Sequence, residues 1–184
     1  MIQIHEPETA RLRLRQWRRS DYPCFARLNA DSETMRFFPA TLTAAESNAL
    51  AQRCHDFIEQ RGWGIWAVEE KASKTFIGFT GLHIPTDELP FSPCVEIAWR
   101  LTRSAWGKGF ATEAARAALT FAFAQLALPE VVSFTAVSNI PSQRVMQRLG
   151  MERDPQTFGH PSLPSCHPLR EHVVYRARQV PADS

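Results

Sequence analysis

The segment of this sequence that most clearly could bind a ligand contains two glycines separated by one lysine. Gly107 and Gly109 stand in the run Trp106-Gly-Lys-Gly-Phe110, between an apolar segment and a segment of helical periodicity. Glycine adopts backbone conformations that are closed to other residues. The first N–H groups of a helix lack partners within it, and the helix dipole adds partial positive charge there. Such a loop is therefore suited to bind an anionic group such as a pyrophosphate.

Two other phosphate-binding loops fit this segment poorly, and a plain tight turn is the structural alternative. A Walker loop requires Ser or Thr directly after Gly-Lys, whereas Lys108 is followed by Gly109. A dinucleotide fingerprint requires a small residue at position 112 and an acid roughly 20 residues later, after the next strand. Thr112 occupies that position, and the nearest acid, Glu130, precedes the next predicted strand. Neither loop type is therefore predicted.

The elements on either side of the glycine loop must position it. Residues 95–101 have the β-branched and aromatic composition of a strand, and residues 111–126 place apolar side chains at helical spacing. Near the start of the chain, residues 11–17 alternate Arg and Leu. This alternation predicts a strand with Leu12 and Leu14 facing inward and its arginines, Arg15 among them, on a solvated face.

Caps, periodicity and turn residues predict the remaining elements. Helices are expected at residues 21–30, 43–62 and 140–149, the second of them opened by a Thr43–Glu46 capping box. Strands are expected at residues 63–69, 75–83, 131–137 and 171–178, and the proline-containing segments 85–93 and 158–168 are expected to be loops. This succession predicts an α/β fold, a mixed sheet with helices packed on it.

Three segments resemble the GCN5-related N-acetyltransferase (GNAT) superfamily. Residues 107–114, Gly-Lys-Gly-Phe-Ala-Thr-Glu-Ala, are similar to its acetyl-CoA pyrophosphate loop. Asn139-Ile-Pro-Ser142, followed by Leu149-Gly-Met151, resembles a segment of its ribosomal-protein N-terminal acetyltransferase-like branch. The opening Leu12-Arg-Leu-Arg-Gln-Trp17, with Asp21 behind it, is also similar to that branch. Three motifs in the same order are far more specific than any one of them.

The resemblance covers about residues 9–175 and implies a fold and a co-substrate. It implies one GNAT domain over residues 9–178, flanked by short tails at 1–8 and 179–184. The mixed sheet would have six to seven strands, a splayed centre that admits acetyl-CoA, and helices on both faces. The chain departs from the superfamily at Ser104, where Gln or Arg is usual; Arg103 lies one place away.

The resemblance also implies the residues that would contact acetyl-CoA. They are Trp99, Leu101, Trp106, Gly107, Lys108, Gly109, Phe110, Ala111, Asn139 and Ser142. Backbone amides around residues 98–100 would stabilise the oxyanion. Asn139 could instead act as a helix cap, and Ser142 could instead form a local hydrogen bond to the backbone.

Acyl transfer to an amine requires a neutral amine, and Glu96 is the candidate base. An α-amine, with a pKa of about 8, is neutral in roughly a tenth of molecules at pH 7, and a lysine amine, at about 10.4, in far fewer. Glu96 lies among apolar residues in the strand expected to border the thioester, and it could act directly or through a water. Alternatively, it faces solvent or pairs with an arginine. The resemblance makes Ser142 the candidate donor to the leaving thiolate.

Several other side chains support weaker interpretations. Three aromatic residues could line an acceptor pocket, although aromatic residues more often belong to the core: Phe37, Phe38 and Trp63. Four residues could suggest zinc, but their spacing matches no zinc pattern, so no metal is predicted: His160, Cys166, His167 and His172. A Gly-x-Ser-x-Gly elbow does not occur in the sequence, so Ser/His/Asp hydrolysis has no support.

Composition excludes several classes of protein. A chain of 184 residues with 44% hydrophobic residues suits one globular domain. The net charge of +2 is too small to indicate nucleic-acid binding, and no apolar run reaches the length of a membrane span. The four cysteines form no Cys-x-x-Cys pair, which favours a reduced, cytoplasmic protein. It is expected to act as a monomer or a homodimer.

The favoured hypothesis is an acetyl-CoA-dependent N-acetyltransferase with direct transfer in a ternary complex. The acceptor amine stays open among a protein N-terminus, a small amine, an amino acid and an antibiotic. One alternative is a non-catalytic acetyl-CoA sensor or scaffold, which would not need Glu96 or Ser142; their presence favours the enzyme. Another is a different acyl donor such as succinyl-CoA, which would favour a cation near the acyl end, where Arg100 is the nearby candidate.

Overall fold

The structure is a computed structural model that describes residues 2–179, so Met1 and most of the predicted C-terminal tail, residues 180–184, lie outside the described residues. Within that range the strands are β1 (Leu12–Arg15), β2 (Ile65–Glu70), β3 (Thr75–His83), β4 (Glu96–Leu101), β5 (Glu130–Ala136), β6 (Glu152–Arg153), β7 (Phe158–Gly159) and β8 (Glu171–Arg178). The helices are α1 (Tyr22–Ala30), α2 (Ala44–Arg61), α3 (Phe110–Ala124) and α4 (Ile140–Arg148).

The strands form one open mixed sheet that separates in its middle. Its order is β1-β2-β3-β4-β5-β8-β6, with β7 also pairing with β8. All neighbours are antiparallel except β4 and β5, which are parallel and are paired at a single position, Glu96 with Val132. The predicted α/β fold with a splayed centre is confirmed. The described residues form eight strands, whereas six to seven were expected. The difference arises because β6 and β7 are only two residues long, too short to show a periodicity in the sequence.

Helices cover both faces of the sheet, as predicted. Trp66 of β2 packs edge-on against Phe121 of α3, with ring centroids 5.4 Å apart. Phe79 of β3 packs against Phe25 of α1 at 5.9 Å. Trp66 pairs with Thr80, the neighbour of Phe79, and successive strand residues point to opposite faces. Helices α1 and α3 therefore lie on opposite faces.

The residues at the two ends of α2 predicted its bounds correctly. The Thr43 hydroxyl accepts a hydrogen bond from the Glu46 N–H, and the Glu46 carboxylate accepts one from the Thr43 N–H, as a capping box requires. Gly62 ends the helix in the left-handed conformation, with φ of +81°. None of the helices in residues 2–179 combines the length and hydropathy that a membrane span needs.

The prediction that Arg15 lies on a solvated face is wrong. Arg15 is 2% exposed, and its Nη1 and Nη2 donate to the two oxygens of Asp21 at 2.8 and 2.9 Å. Its Nε donates to Glu69 of β2 at 2.7 Å. The alternation rule assumes that one face of the strand meets water, but here the turn before α1 folds back over that face and supplies a carboxylate. Arg13, two residues earlier, does stay exposed and pairs with Glu8.

Candidate active site

The glycine loop joins β4 to α3 and has the backbone conformation expected of it. Gly107 and Gly109 have φ of +73° and +78°, in the left-handed region that favours glycine. A Cβ on Gly107 would meet nothing within 4 Å, and one on Gly109 would meet only the Arg11 Nη2 at 3.6 Å. Backbone conformation, rather than crowding, therefore requires the two glycines, and space is left over the loop for a ligand.

A run of unpartnered backbone donors surrounds this space. The first helical hydrogen bond of α3 runs from the Glu113 N–H to the Gly109 carbonyl at 3.0 Å. Within residues 2–179, the N–H groups of residues 107–112 donate to no acceptor. Converging N–H groups at a helix start, together with the helix dipole, form a site for an anion.

The N-terminal segment fixes the start of α3. The Glu113 carboxylate accepts hydrogen bonds from the Thr9 hydroxyl at 2.5 Å and from the Arg11 Nε at 2.7 Å. Partial burial opposes its ionisation, but these hydrogen bonds prevail and lower the pKa of Glu113. Arg11 also donates to the Lys108 carbonyl at 3.0 Å. The negative charge in the first turn is thus matched by Arg11, and the loop keeps its positive character.

The gap between β4 and β5 exposes peptide groups of β4. The Val132 N–H donates to the Val95 carbonyl at 2.9 Å, so the Val95 peptide group points toward β5. Because peptide groups alternate along a strand, those of Trp99 and Leu101 point to the same side, beyond the last paired position. The Leu101 carbonyl accepts from the indole of Trp106 at 2.9 Å, which ties that side chain to the strand. The Trp99 N–H faces the gap.

The candidate base, Glu96, is paired with a histidine. Glu96 is 8% exposed and lies opposite His83 in the β3–β4 ladder. The His83 Nε2 is 2.7 Å from the Glu96 Oε2. Glu96 therefore neither faces solvent nor pairs with an arginine, which were the two alternatives considered for it. Sequence reasoning missed His83, although a signal existed. His83 ends one predicted strand and Glu96 is the second residue of the next, and such ends meet in an antiparallel pair.

Asn139 and Ser142 meet at the start of α4. The Asn139 Oδ1 accepts from the Ser142 N–H at 3.2 Å, and the Asn139 Nδ2 donates to the Thr135 hydroxyl at 2.8 Å. Asn139 is therefore the helix cap, and its contact with a cofactor stays a prediction. The Ser142 hydroxyl is half-buried and forms no hydrogen bond with any residue in 2–179, so the local bond considered for it is not made.

Of the three predicted acceptor residues, only Phe38 is brought against β4. Its ring lies 4.2 Å from the Arg100 guanidinium, on the α1 face of the sheet. Phe37 instead packs under the guanidinium of Arg36 at 4.8 Å. Trp63 is partly buried against the hydrophobic core, as the alternative interpretation of these aromatic residues anticipated.

The histidine-containing segment near the C-terminus packs as an aromatic cluster. The rings of His160 and His172 lie 5.0 Å apart, beside Phe134 and Phe158. Burial lowers the pKa of His172, and the neighbouring His160 adds to this effect. Among residues 2–179 no group of three His, Cys, Asp or Glu side chains lies close enough together to hold a metal ion.

A large groove runs beside the glycine loop rather than beside Glu96. Its volume is about 1200 Å³, and it separates the N-terminal segment, residues 3–11, from one side of α3. Gly107 and Gly109 lie at one end, and Arg116 and Arg148 also line it. The groove therefore continues outward from the unpartnered amides, away from the candidate base.

Comparisons with known proteins agree with this geometry. Residues 11–152 match a family model described as an acetyltransferase (GNAT) domain. The chain is 26% identical over 147 residues to the uncharacterized N-acetyltransferase YnaD of Bacillus subtilis, a match that covers 79% of this chain and 82% of the relative.

Two solved structures share the fold. The acetyltransferase (GNAT family) from Bacillus anthracis superposes with a TM-score of 0.78 at 21% identity, covering 95% of this chain and 98% of that one. The spermidine N-acetyltransferase from Vibrio cholerae, in complex with CoA and spermine, superposes with a TM-score of 0.71 at 21% identity. That match covers 93% of this chain and 97% of the other.

Proposed function

The chain belongs to the acetyltransferase (GNAT) family, and on that premise we propose that it moves an acetyl group from acetyl-CoA to a primary amine by direct transfer in a ternary complex. The observation that carries the proposal is the run of free N–H groups over residues 107–112, next to the gap between β4 and β5. A pyrophosphate suits those donors. The CoA complex of the V. cholerae relative supports a ligand of this class.

The residues of this chain fit acetyl-CoA at both ends of the site. Loop residues 106–111 would hold the pyrophosphate through the backbone. The gap beyond Glu96 and Val132 would hold the thioester arm, since the Trp99 peptide group faces it. Acetyl-CoA supplies an activated acetyl group and a thiol with an unperturbed pKa of about 8.5, which leaves readily near neutral pH.

Glu96 and His83 would together remove the amine proton. Glu96 lies on the α1 face, next to where β4 and β5 part, and so borders the expected position of the thioester. It would take the proton from the amine directly or through a water. His83 holds the carboxylate at 2.7 Å, and its side chain is one-third exposed. It therefore offers the proton a route to solvent.

Two donors would act on the acyl group. The Trp99 N–H would donate to its carbonyl oxygen as negative charge develops there. The Ser142 hydroxyl, which has no competing hydrogen bond within residues 2–179, would donate to the departing sulfur. Asn139 positions Ser142 by capping α4. A sensor or scaffold would need neither the Glu96–His83 pair nor a free Ser142 hydroxyl, so both features favour an enzyme.

Calorimetric titration with acetyl-CoA, followed by an acceptor screen that measures free-thiol release, tests the proposal. We expect one acetyl-CoA per chain and thiol release that depends on an added amine. A chain that does not bind acetyl-CoA would overturn the proposal. Binding without release for any class of amine would favour the sensor or scaffold.

A further inference from the structure

Arg100 is a partly buried cation that has no carboxylate partner among residues 2–179. It lies in the middle of β4, and its side chain is on the α1 face because Phe79, its partner in the β3–β4 ladder, packs against α1. Within residues 2–179 Arg100 forms no ion pair with a carboxylate. The Cys54 thiol acts on the pKa of Arg100, but burial raises the pKa of that thiol to about 12, so it is uncharged.

The guanidinium is held in place with one edge unused. The Arg100 Nη1 donates to the Asn29 Oδ1 at 2.6 Å, and Asn29 is in turn fixed by its bond to the Ser47 hydroxyl at 2.9 Å. The Nε atom is fully buried and has no partner. Among the described residues the Nη1 bond to Asn29 is the one hydrogen bond that the guanidinium donates, so Nη2 is free as well. The Nε–Nη2 edge matches the two oxygens of a carboxylate.

A charge without a counter-ion, with one of its donor atoms buried and unpartnered, is costly to a protein, so its presence calls for a reason. Burial lowers the pKa of Arg100 to about 10, which still leaves the guanidinium charged near neutral pH. The aromatic rings of Phe38 and Phe79 contact it at 4.2 and 5.2 Å, but such contacts leave its hydrogen-bond donors unsatisfied. A bound anion would satisfy both the charge and the free edge.

The position of Arg100 relates it to the acceptor rather than to the glycine loop. Arg100 and Glu96 share the α1 face, roughly 13 Å apart along the strand at about 3.3 Å per residue. The loop that would hold the pyrophosphate leads into α3, on the opposite face. Phe38, whose ring stacks on the guanidinium at 4.2 Å, is 40% exposed.

We propose that Arg100 binds a carboxylate of the acceptor, so that the preferred substrates are amino-acid-like molecules with both an amino group and a carboxylate. The proposal rests on the acetyl transfer proposed above and specifies its acceptor. One guanidinium with one free edge suits a monoanion. The carboxylate on Arg100 would direct the amine along β4 toward Glu96 and the Trp99 N–H.

Matched acceptor pairs test this proposal. Free-thiol release is measured with amino acids and with the corresponding amides, which keep the amine and lose the charge. We expect kcat/KM to favour the carboxylate member about tenfold or more, the scale of one lost charge-assisted pair. Equal rates for both members in the wild-type protein would overturn the proposal. This comparison requires no variant, so a misfolded variant cannot mask the result.

Two variants locate the preference. In Arg100→Gln the ratio should fall toward one, mainly through a raised KM, while acetyl-CoA affinity stays within about twofold because the loop is untouched. Arg100→Lys should keep part of the preference, since it retains the charge without the planar fork. A wild-type protein that does not bind acetyl-CoA would contradict the proposed function. Normal acetyl-CoA binding without selectivity would contradict the role of Arg100 alone.

The acyl donor is the competing source of a carboxylate. Acetyl-CoA and succinyl-CoA are compared with one amine that lacks a carboxylate. If Arg100 serves the acceptor, Arg100→Gln should leave the ratio between the two donors unchanged. A variant that selectively loses succinyl transfer would assign the carboxylate to the donor and overturn the proposal.

Discussion

His83 and Glu96 face each other across β3 and β4 with 2.7 Å between Nε2 and Oε2, next to the position where the sheet parts. A carboxylate acting as general base contributes about 10²-fold or more to the rate. Glu96→Gln should therefore lower kcat by that factor and leave acetyl-CoA affinity unchanged. Glu88→Gln, an exposed change in the loop between the same strands, is the matched control. Equal turnover of Glu96→Gln and wild type from about pH 6 to pH 9 would make Glu96 structural.

Substitutions at Gly109 and Gly150 distinguish the effect of backbone strain from the effect of ligand contact. Both have left-handed φ, +78° and +76°, and neither is crowded. Valine at either position should cost about 1–2 kcal/mol of stability. Only Gly109→Val should weaken acetyl-CoA binding, by roughly tenfold or more, because its side chain would occupy the space over the free amides. Calorimetry and melting temperatures of the two variants check this; equal acetyl-CoA affinity of both would remove the loop from the cofactor site.

Ser142 and Asn139 should differ in what their loss affects. Ser142→Ala removes a hydroxyl without a hydrogen bond in residues 2–179, so its melting temperature should not change. Its rate should fall clearly at pH 7 and by less than about tenfold at pH 9, where coenzyme A leaves unaided, above the usual thiol pKa of about 8.5. Asn139→Ala should lose about 1 kcal/mol of stability, as helix caps do. A pH-independent rate ratio for Ser142→Ala would withdraw its catalytic role.

Glu113 should make stability depend on pH. Its pKa in the folded chain is below the ordinary value of 4.5, so its contribution is present above that pH and is lost as the pH falls through the folded value. Glu113→Gln should therefore destabilise the protein at pH 7, and the difference from wild type should shrink below about pH 4.5. Urea unfolding at several pH values measures it. A difference that does not change with pH would indicate that only shape matters at this position.

Local signals were enough to predict most of the elements. Capping residues, glycines and β-branched runs act within a few residues, so α2, β8 and the glycine loop could be predicted from the printed sequence. Arg15 was misplaced because its burial depends on Glu69, which a distant strand supplies. The partner of Glu96 also depends on strand pairing, although the ends of the two consecutive predicted strands carried a signal for it. Pairing across strands is a property of register, and register follows from the whole sheet.

The candidate site likewise has features that the sequence predicts and features that it does not. The left-handed glycines and the helix start follow from the sequence because each is set by adjacent residues. The isolation of Arg100 does not, because it depends on the absence of a carboxylate near its guanidinium: Asp31 and Glu33, in the segment that carries Phe38, pair with Arg103 and Arg36 instead. A list of residue types cannot express such an absence. Only the assembled packing does.

The parting of β4 from β5 gives the sheet two internal edges. Edge strands offer unpaired N–H and C=O groups that readily accept another extended chain. Here those groups lie between covered faces, so a slender ligand arm bearing amides could take the place of a missing strand and join the two halves. Ligand binding should then protect the Trp99 amide from hydrogen exchange and raise the force needed to pull the halves apart. The apo protein should be weakest along this seam, at its centre rather than at its rim.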